Sequence, residues 1–257
     1  MERIELQIVQ EFNSDKHTEV LSEDGSYTAY SKEYDEHYHS TKDGALGESL
    51  QKHVIPAFSV IDKSEVHILD ICYGLGFNTL ATLLYYKEHR PTRKLFIYSP
   101  ELDETLIASL ENFTYPKEFE IFQEIIIALS RDNMYEDESI YIEIFLGDAR
   151  EYVRKFDNKF DIVYQDAFSP STNPILWTKE YFSDIKKAMK KSGVLTTYSI
   201  ALKTRLALYE NGLNIYLNEG EGFRGATVAS CEVLENFKLI DMEHKISCNP
   251  GVKPLSD

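Results

Sequence analysis

A chain of 257 residues that is 43% apolar has material for one substantial core, and one α/β domain with additions is its simplest organisation. It holds no apolar run long enough to span a bilayer, and Met1-Glu2-Arg3-Ile4-Glu5 lacks the basic-then-apolar order of a signal peptide, so a cytoplasmic protein is expected. The formal charge of −16 excludes a generally sticky nucleic-acid surface. An RNA ligand therefore needs a local basic patch. Lys186, Lys187, Lys190 and Lys191 on one predicted helix, and Arg150, Arg154, Lys155 and Lys159 around another, are the candidates; solvated faces paired with acids are their plainer reading.

In chain order, Ile4, Leu6 and Ile8 alternate as an edge strand does, and Tyr27, Tyr30, Tyr34 and Tyr38 recur too often for a plain loop. Asp43 is placed to cap a helix through about Phe58, with Leu46, Leu50, Val54 and Phe58 on one stripe. Residues 1–60 thus form an N-terminal extension on a domain of residues 61–257. From Val66 onward the spacing predicts strand 66–71, helix 77–89 stopped by Pro91, strand 95–99 and helix 103–113. A further helix covers 119–130, an acidic loop 132–138 and a strand 141–146. Gly147-Asp148-Ala149 opens the next helix, and strand 160–165 follows. A helix through Tyr181, Ile185, Ala188 and Met189 is closed by Gly193 as its C-cap, before a strand over 194–198. Runs at 213–217, 226–231 and 237–240 predict a final antiparallel pair or trio. Such alternation implies a mainly parallel sheet with helices on both faces. Cys72, Cys231 and Cys248 make neither a disulfide framework nor a zinc pattern, and no metal is expected.

The most informative segment is Val66 to Asn78, an apolar run ending in Asp70, then the turn Gly74-Leu75-Gly76 and a helix start. Glycines there let a polar ligand approach backbone N–H groups and a helix N-terminus. In open α/β sheets ligands lie beyond the carboxyl ends of the strands, where this chain puts Asp70, Glu101, Asp148 and Asp166 in succession. The chemistry implied is an adenosine-like cofactor with an amino-bearing end: Glu101 for ribose hydroxyls, Asp148 for the adenine amine, Asp70 near the amino acid portion. A second concentrated signal is Asp166-Ala167-Phe168-Ser169-Pro170 with Asn173-Pro174 and Trp177, where two prolines fix a loop and an aromatic can lie against a flat ring.

Together these segments resemble the class I S-adenosylmethionine methyltransferases, and more closely the methyltransferase domain of the bifunctional tRNA 5-methylaminomethyl-2-thiouridine biosynthesis enzyme. The resemblance runs over about residues 22–231. It is carried by Asp24 to Ser31, Tyr34 to Ser40, the turn from Asp70 to Asn78, Glu101, Gly147-Asp148, Asp166 to Pro170 with Asn173-Pro174 and Trp177, and Thr197-Tyr198-Ser199. Cys72 stands where the family usually has glycine, and the family's late basic segment is reduced to Phe223-Arg224-Gly225-Ala226.

The resemblance implies a Rossmann-like fold, S-adenosyl-L-methionine as cofactor, and a stand-alone enzyme without the flavin-dependent oxidase domain. It further implies transfer of a methyl group to the aminomethyl nitrogen on carbon five of the tRNA wobble uridine, with the amine supplied by a separate tRNA-modifying enzyme. By the same resemblance Tyr30, Tyr34, Asp70, Gly74, Gly76, Asn78, Glu101, Gly147, Asp148 and Asp166 bind cofactor, with Tyr38 helping to close over it. Asp166 orients the amine and takes part in catalysis, while Phe168, Pro170, Trp177 and Tyr198 face the substrate. The competing readings are a spermidine-synthase-like aminopropyltransferase, a small-molecule methyltransferase and a non-catalytic binding protein.

Overall fold

The computed structural model describes residues 12, 14–42, 44–89, 93–220 and 223–257. The expected strand over Ile4, Leu6 and Ile8, the Asp43 cap and the Pro91 stop lie outside these residues. Strands β1 (His17–Leu21), β2 (Tyr27–Ser31) and β3 (Glu36–His37) form a small antiparallel sheet that the sequence reading did not assign. Its strands are short and largely half-exposed, so the period-two signal is faint. In β2, Ala29 and Ser31 are buried on one face while Tyr30 projects from the other.

The predicted helix to Phe58 is broken into α1 (Ala45–Ser49), a π-helical turn over Leu50–Val54, and α2 (Ile55–Phe58). Pro56 has no N–H to return to the carbonyl four residues earlier, which favours an altered ladder just ahead of it. The wider turn rotates the buried face. Lys52 and His53 join Val54 inside, whereas Leu46 and Leu50 of the expected stripe are only half-buried.

The main sheet has nine strands among the described residues: β4 (Glu65–Ile71), β5 (Lys94–Glu101), β6 (Met134–Glu136), β7 (Ile140–Leu146), β8 (Phe160–Gln165), β9 (Met189–Thr197), β10 (Asn214–Asn218), β11 (Ala226–Ser230) and β12 (Lys238–Leu239). Their order is β12-β10-β11-β9-β8-β4-β5-β7-β6. The five central strands from β9 to β7 are parallel, and both flanks are antiparallel. Helices α3 (Phe77–His89), α4 (Glu104–Ser109), α5 (Gln123–Asp132), α6 (Ala149–Val153), α7 (Lys179–Ala188), α8 (Leu202–Glu210) and α9 (Met242–Cys248) complete the fold. The sheet separates two apolar clusters. Ile68, Ile97 and Ile162 enter one, and Leu69, Ile71 and Val163 enter the other. Each such side chain contributes about 1.5–3 kcal/mol by leaving water. This is a Rossmann-like architecture, a mainly parallel sheet covered on both faces, as expected.

Three local expectations are corrected. The acidic stretch 132–138 contains β6, paired with β7, because Asn133 in a left-handed conformation turns the chain back on itself. Gly193 is no C-cap: α7 ends at Ala188, β9 starts at Met189, and Gly193 sits at a register irregularity against β8. A Cβ there would lie 3.0 Å from the Phe160 carbonyl oxygen, so a side chain is excluded by close backbone approach. Helices predicted over 103–113 and 119–130 are shorter, each sharing its span with a 3₁₀ segment, Leu110–Asn112 and Lys117–Phe122. Among the described residues no helix is long and apolar enough to cross a membrane.

Candidate active site

Strand order reverses at β4, which pairs with β5 on one side and β8 on the other. A crevice opens beyond the carboxyl ends of strands at such a point. Here it is a cavity of about 520 Å³, walled by the loops after β4, β5, β7 and β8 and by residues of the small N-terminal sheet.

The turn after β4 takes three residues into the left-handed region, Cys72 (φ 65°), Gly74 (φ 55°) and Gly76 (φ 74°). A Cβ on Gly74 would stand 3.1 Å from the Tyr38 ring, which narrows the space over the turn to what a glycine leaves open. Gly74 donates its N–H to Glu101 Oε2 at 2.9 Å, and Leu102 and Asp103 donate theirs to Oε1 at 2.7 and 2.9 Å. Burial raises the Glu101 pKa, and these three amides oppose the rise. Asp148 caps α6 by accepting from the Arg150 and Glu151 amides through Oδ1 alone. Tyr34 stacks on Phe168 with ring centroids 4.7 Å apart, and Tyr38 leans on the same ring.

Asp166 follows β8 directly. Asn78 Nδ2, in the first turn of α3, donates to its Oδ2 at 2.8 Å, and His53 Nε2 stands 3.4 Å from Oδ1. Burial pushes the Asp166 carboxyl up, but His53, His39 and the Asn78 amide outweigh it and hold the group down at about 2. The carboxylate stays ionised at neutral pH. Among the described residues the cavity lining carries eight carboxylates, from Glu33, Glu36, Glu48, Glu101, Asp103, Glu104, Asp148 and Asp166, against one lysine, Lys16. Such a field favours a cationic occupant.

Of the residues given a role from the sequence, Tyr34, Tyr38, Gly74, Glu101, Gly147, Asp148, Asp166, Phe168 and Tyr198 line this cavity, whereas Tyr30, Asp70, Gly76, Asn78, Pro170 and Trp177 do not. Tyr30 projects from the opposite face of β2 to Ser31, bonding Asp35 and packing on His37. Asp70 is 1% exposed and spends its oxygens on Thr79 at 2.9 Å and Asn78 at 3.4 Å beneath the turn. Burial raises its pKa to about 7, with the charge of Asp166 adding to the rise. Gly76 lies under the Tyr73 ring, and Asn78 acts through Asp166. Pro170 is half-buried beside the loop without reaching the lining. Trp177 is fully buried, its Nε1–H given to the Phe168 carbonyl at 2.7 Å, so it fixes the loop from within and cannot stack on a base.

Residues to which the sequence reading gave no role complete the site. His39 lines the cavity with Nδ1 3.3 Å from Thr28 Oγ1, and burial lowers its pKa. Glu36 reaches Ser169 across the opening at 3.1 Å, and Glu48 receives Lys52 Nζ at 2.6 Å and the Ser40 amide at 2.7 Å. For His53 the one available signal is the polar pair Lys52-His53 inside an apolar stripe.

A family model described as S-adenosyl-L-methionine-dependent methyltransferase matches residues 117–232. The crystal structure of MnmC2 from Aquifex aeolicus superposes with a TM-score of 0.80 at 31% identity, covering 95% of this chain and 80% of that one. The chain belongs to the MnmC-like methyltransferase family. It is an S-adenosyl-L-methionine-dependent enzyme, as the family model describes. An uncharacterized protein of Methanocaldococcus jannaschii is 34% identical over 219 residues, 84% of this chain and 60% of its own length. The tRNA 5-methylaminomethyl-2-thiouridine biosynthesis bifunctional protein MnmC of Leptospira interrogans is 27% identical over 164 residues, 60% of this chain. That match covers 25% of the bifunctional protein, so the chain spans only a part of each of these two relatives. The cavity fits the cofactor: a glycine cradle at Gly74, amide-braced Glu101 and half-free Asp148 match a nucleoside's donors, and the acidic lining matches a sulfonium.

Proposed function

We propose that this MnmC-like enzyme methylates the aminomethyl nitrogen on carbon five of the tRNA wobble uridine, forming 5-methylaminomethyl-(2-thio)uridine. The observation that carries the reading is Asp166, a carboxylate held ionised at about 2 and opening into an acid-lined cavity. The tRNA-modifying activity in the name of the Leptospira relative supports it. A separate tRNA-modifying enzyme supplies the amine, and the chain divides into an N-terminal extension, residues 1–60, and the methyltransferase domain, residues 61–257.

In this reading Glu101 accepts from the ribose hydroxyls, Asp148 Oδ2 from the adenine amine, and the amides around Gly74 and Gly147 follow the cofactor's backbone. S-adenosyl-L-methionine supplies an electrophilic sulfonium methyl. Asp166 accepts an N–H of the substrate amine and aims its lone pair; as so weak a base it orients the nitrogen, and the surplus proton passes to solvent. Phe168, backed by Tyr34, presents a flat face for the splayed uracil, with Tyr198 on the same wall.

The acidic lining also suits a polyamine, which keeps the aminopropyltransferase reading as second choice. Two incubations separate them: S-adenosyl-L-methionine with undermodified tRNA, and its decarboxylated analogue with putrescine. Methyl incorporation into tRNA in the first is expected, and turnover confined to the second overturns the proposal. Nucleoside mass spectrometry of tRNA from a deletion strain should show the unmethylated amine accumulating.

A further inference from the structure

His53 is a buried titratable group that the reaction as described leaves unused. It is 0% exposed, and its Nδ1 lies 3.0 Å from Thr196 Oγ1 on β9. The ring meets Tyr164 of β8 edge-on at 5.7 Å. Its Nε2 is buried, makes no aligned hydrogen bond, and stands 3.4 Å from Asp166 Oδ1. The imidazole reaches this place because the chain enters it through the π-helical turn Leu50–Val54, a rare conformation that recurs at functional sites. An α-helical continuation would have turned residue 53 by a different angle about the axis. The N-terminal segment thus delivers one imidazole to the back of the carboxylate whose front faces the cavity.

We propose that His53 is a positioning residue for Asp166, holding one carboxylate oxygen from behind while Thr196 fixes the ring and Asn78 holds the other oxygen. The inference rests on the reading of Asp166 as the carboxylate that meets the substrate amine. A carboxylate offers about four acceptor sites on two oxygens, so each oxygen engaged by His53 or Asn78 keeps one for the ligand. Two partners on two sides also remove the rotation about the side chain that would otherwise spread the orientation of those free sites. His53 carries no proton to or from the amine. Its effect runs through the ionisation and angle of Asp166, which is also faced by His39 from the β3 loop, Asp70 from β4, and Cys72 and Tyr198 from the neighbouring turns.

The test uses the full chain with His53→Ala, His53→Gln and Thr196→Val. Thr196→Val keeps the core volume and withdraws only the hydroxyl that orients the ring, so it serves if His53→Ala fails to fold. Carbon-13 NMR of the aspartate carboxyls, assigned with Asp166→Asn, reads the Asp166 titration without any substrate. In His53→Ala that titration should rise by one unit or more, in Thr196→Val by less. Methyl transfer should lose roughly 10- to 100-fold in kcat with KM for tRNA and affinity for S-adenosyl-L-methionine within about threefold. His53→Gln, which keeps a donor, should recover part of that loss. An unmoved Asp166 titration in folded His53→Ala or Thr196→Val overturns the proposal, as does a moved titration with unchanged kcat. If the unaltered enzyme does not methylate tRNA, the substrate reading fails while the carboxyl titration still decides the role of His53.

Discussion

Replacing Glu101 by Gln separates two duties that one carboxylate performs. Its oxygens accept three backbone amides, from Gly74, Leu102 and Asp103, and they border the cavity. Gln keeps one carbonyl oxygen and turns an NH₂ toward a donor, and with Oε1 retained the Gly74 amide loses its acceptor. Leaving that donor unmade costs about 1–3 kcal/mol. The neutral side chain recovers part of this, because burial already disfavours the charge. At roughly 2–4 °C per kcal/mol for a chain of this size, Tm should fall by a few degrees. Cofactor binding should suffer more. A hydroxyl bonded to a charged acceptor contributes about 1.5–3 kcal/mol, so Kd for S-adenosyl-L-methionine should rise roughly 10- to 200-fold by calorimetry. Scanning fluorimetry measures the first effect on the same sample. A lowered Tm with Kd unchanged within twofold would refute the ribose assignment and leave Glu101 as a brace for the turn.

Three further outcomes follow from the same geometry. Asp166→Asn should bind S-adenosyl-L-methionine within a few-fold of the unaltered enzyme and lose at least about 100-fold in methyl transfer to tRNA, measured as tritium incorporation; full activity would remove Asp166 from the chemistry. Asp70 binds its proton more tightly folded, at about 7, than unfolded, near 3.8, so its contribution to stability falls as pH rises between about 4 and 7, by up to about 1.4 kcal/mol per unit. Asp70→Asn should therefore flatten the decline of Tm across that window, and parallel Tm–pH curves for the two proteins would contradict the assignment. Trp177→Ala should cost about 3–5 kcal/mol in denaturant unfolding, whereas Trp177→Phe, at milder cost, should leave KM for tRNA unchanged; a large KM effect in the Phe variant would argue for direct contact.

The parts of the fold legible in the sequence are those with local causes. The turn from Cys72 to Gly76 needs positive φ and advertises it with glycines, and β8, buried along its whole length, announces itself through the central apolar run Ile162-Val163-Tyr164. Glu101, Asp148 and Asp166, which line the cavity, stood out because each comes at or just after the carboxyl end of a strand. Asp70 met the same criterion and lies under the turn, since Asn78 and Thr79, in the first turn of α3 beyond that turn, take its oxygens. Burial of Trp177 is a tertiary fact that no spacing encodes. The π-helical turn that brings in His53, and the two-residue strand β3 that brings Glu36 to Ser169, depend on partners far along the chain.

Cys72 has a practical consequence for anyone labelling this enzyme. Its left-handed backbone costs about 1–2 kcal/mol that glycine would not incur. Burial, with Glu101 and Asp166 near, lifts its thiol well above the ordinary value. At neutral pH the sulfur therefore stays protonated and slow toward alkylating reagents, although it borders the cavity. Cys248 on α9 is exposed, so a maleimide probe will report first on the C-terminal helix.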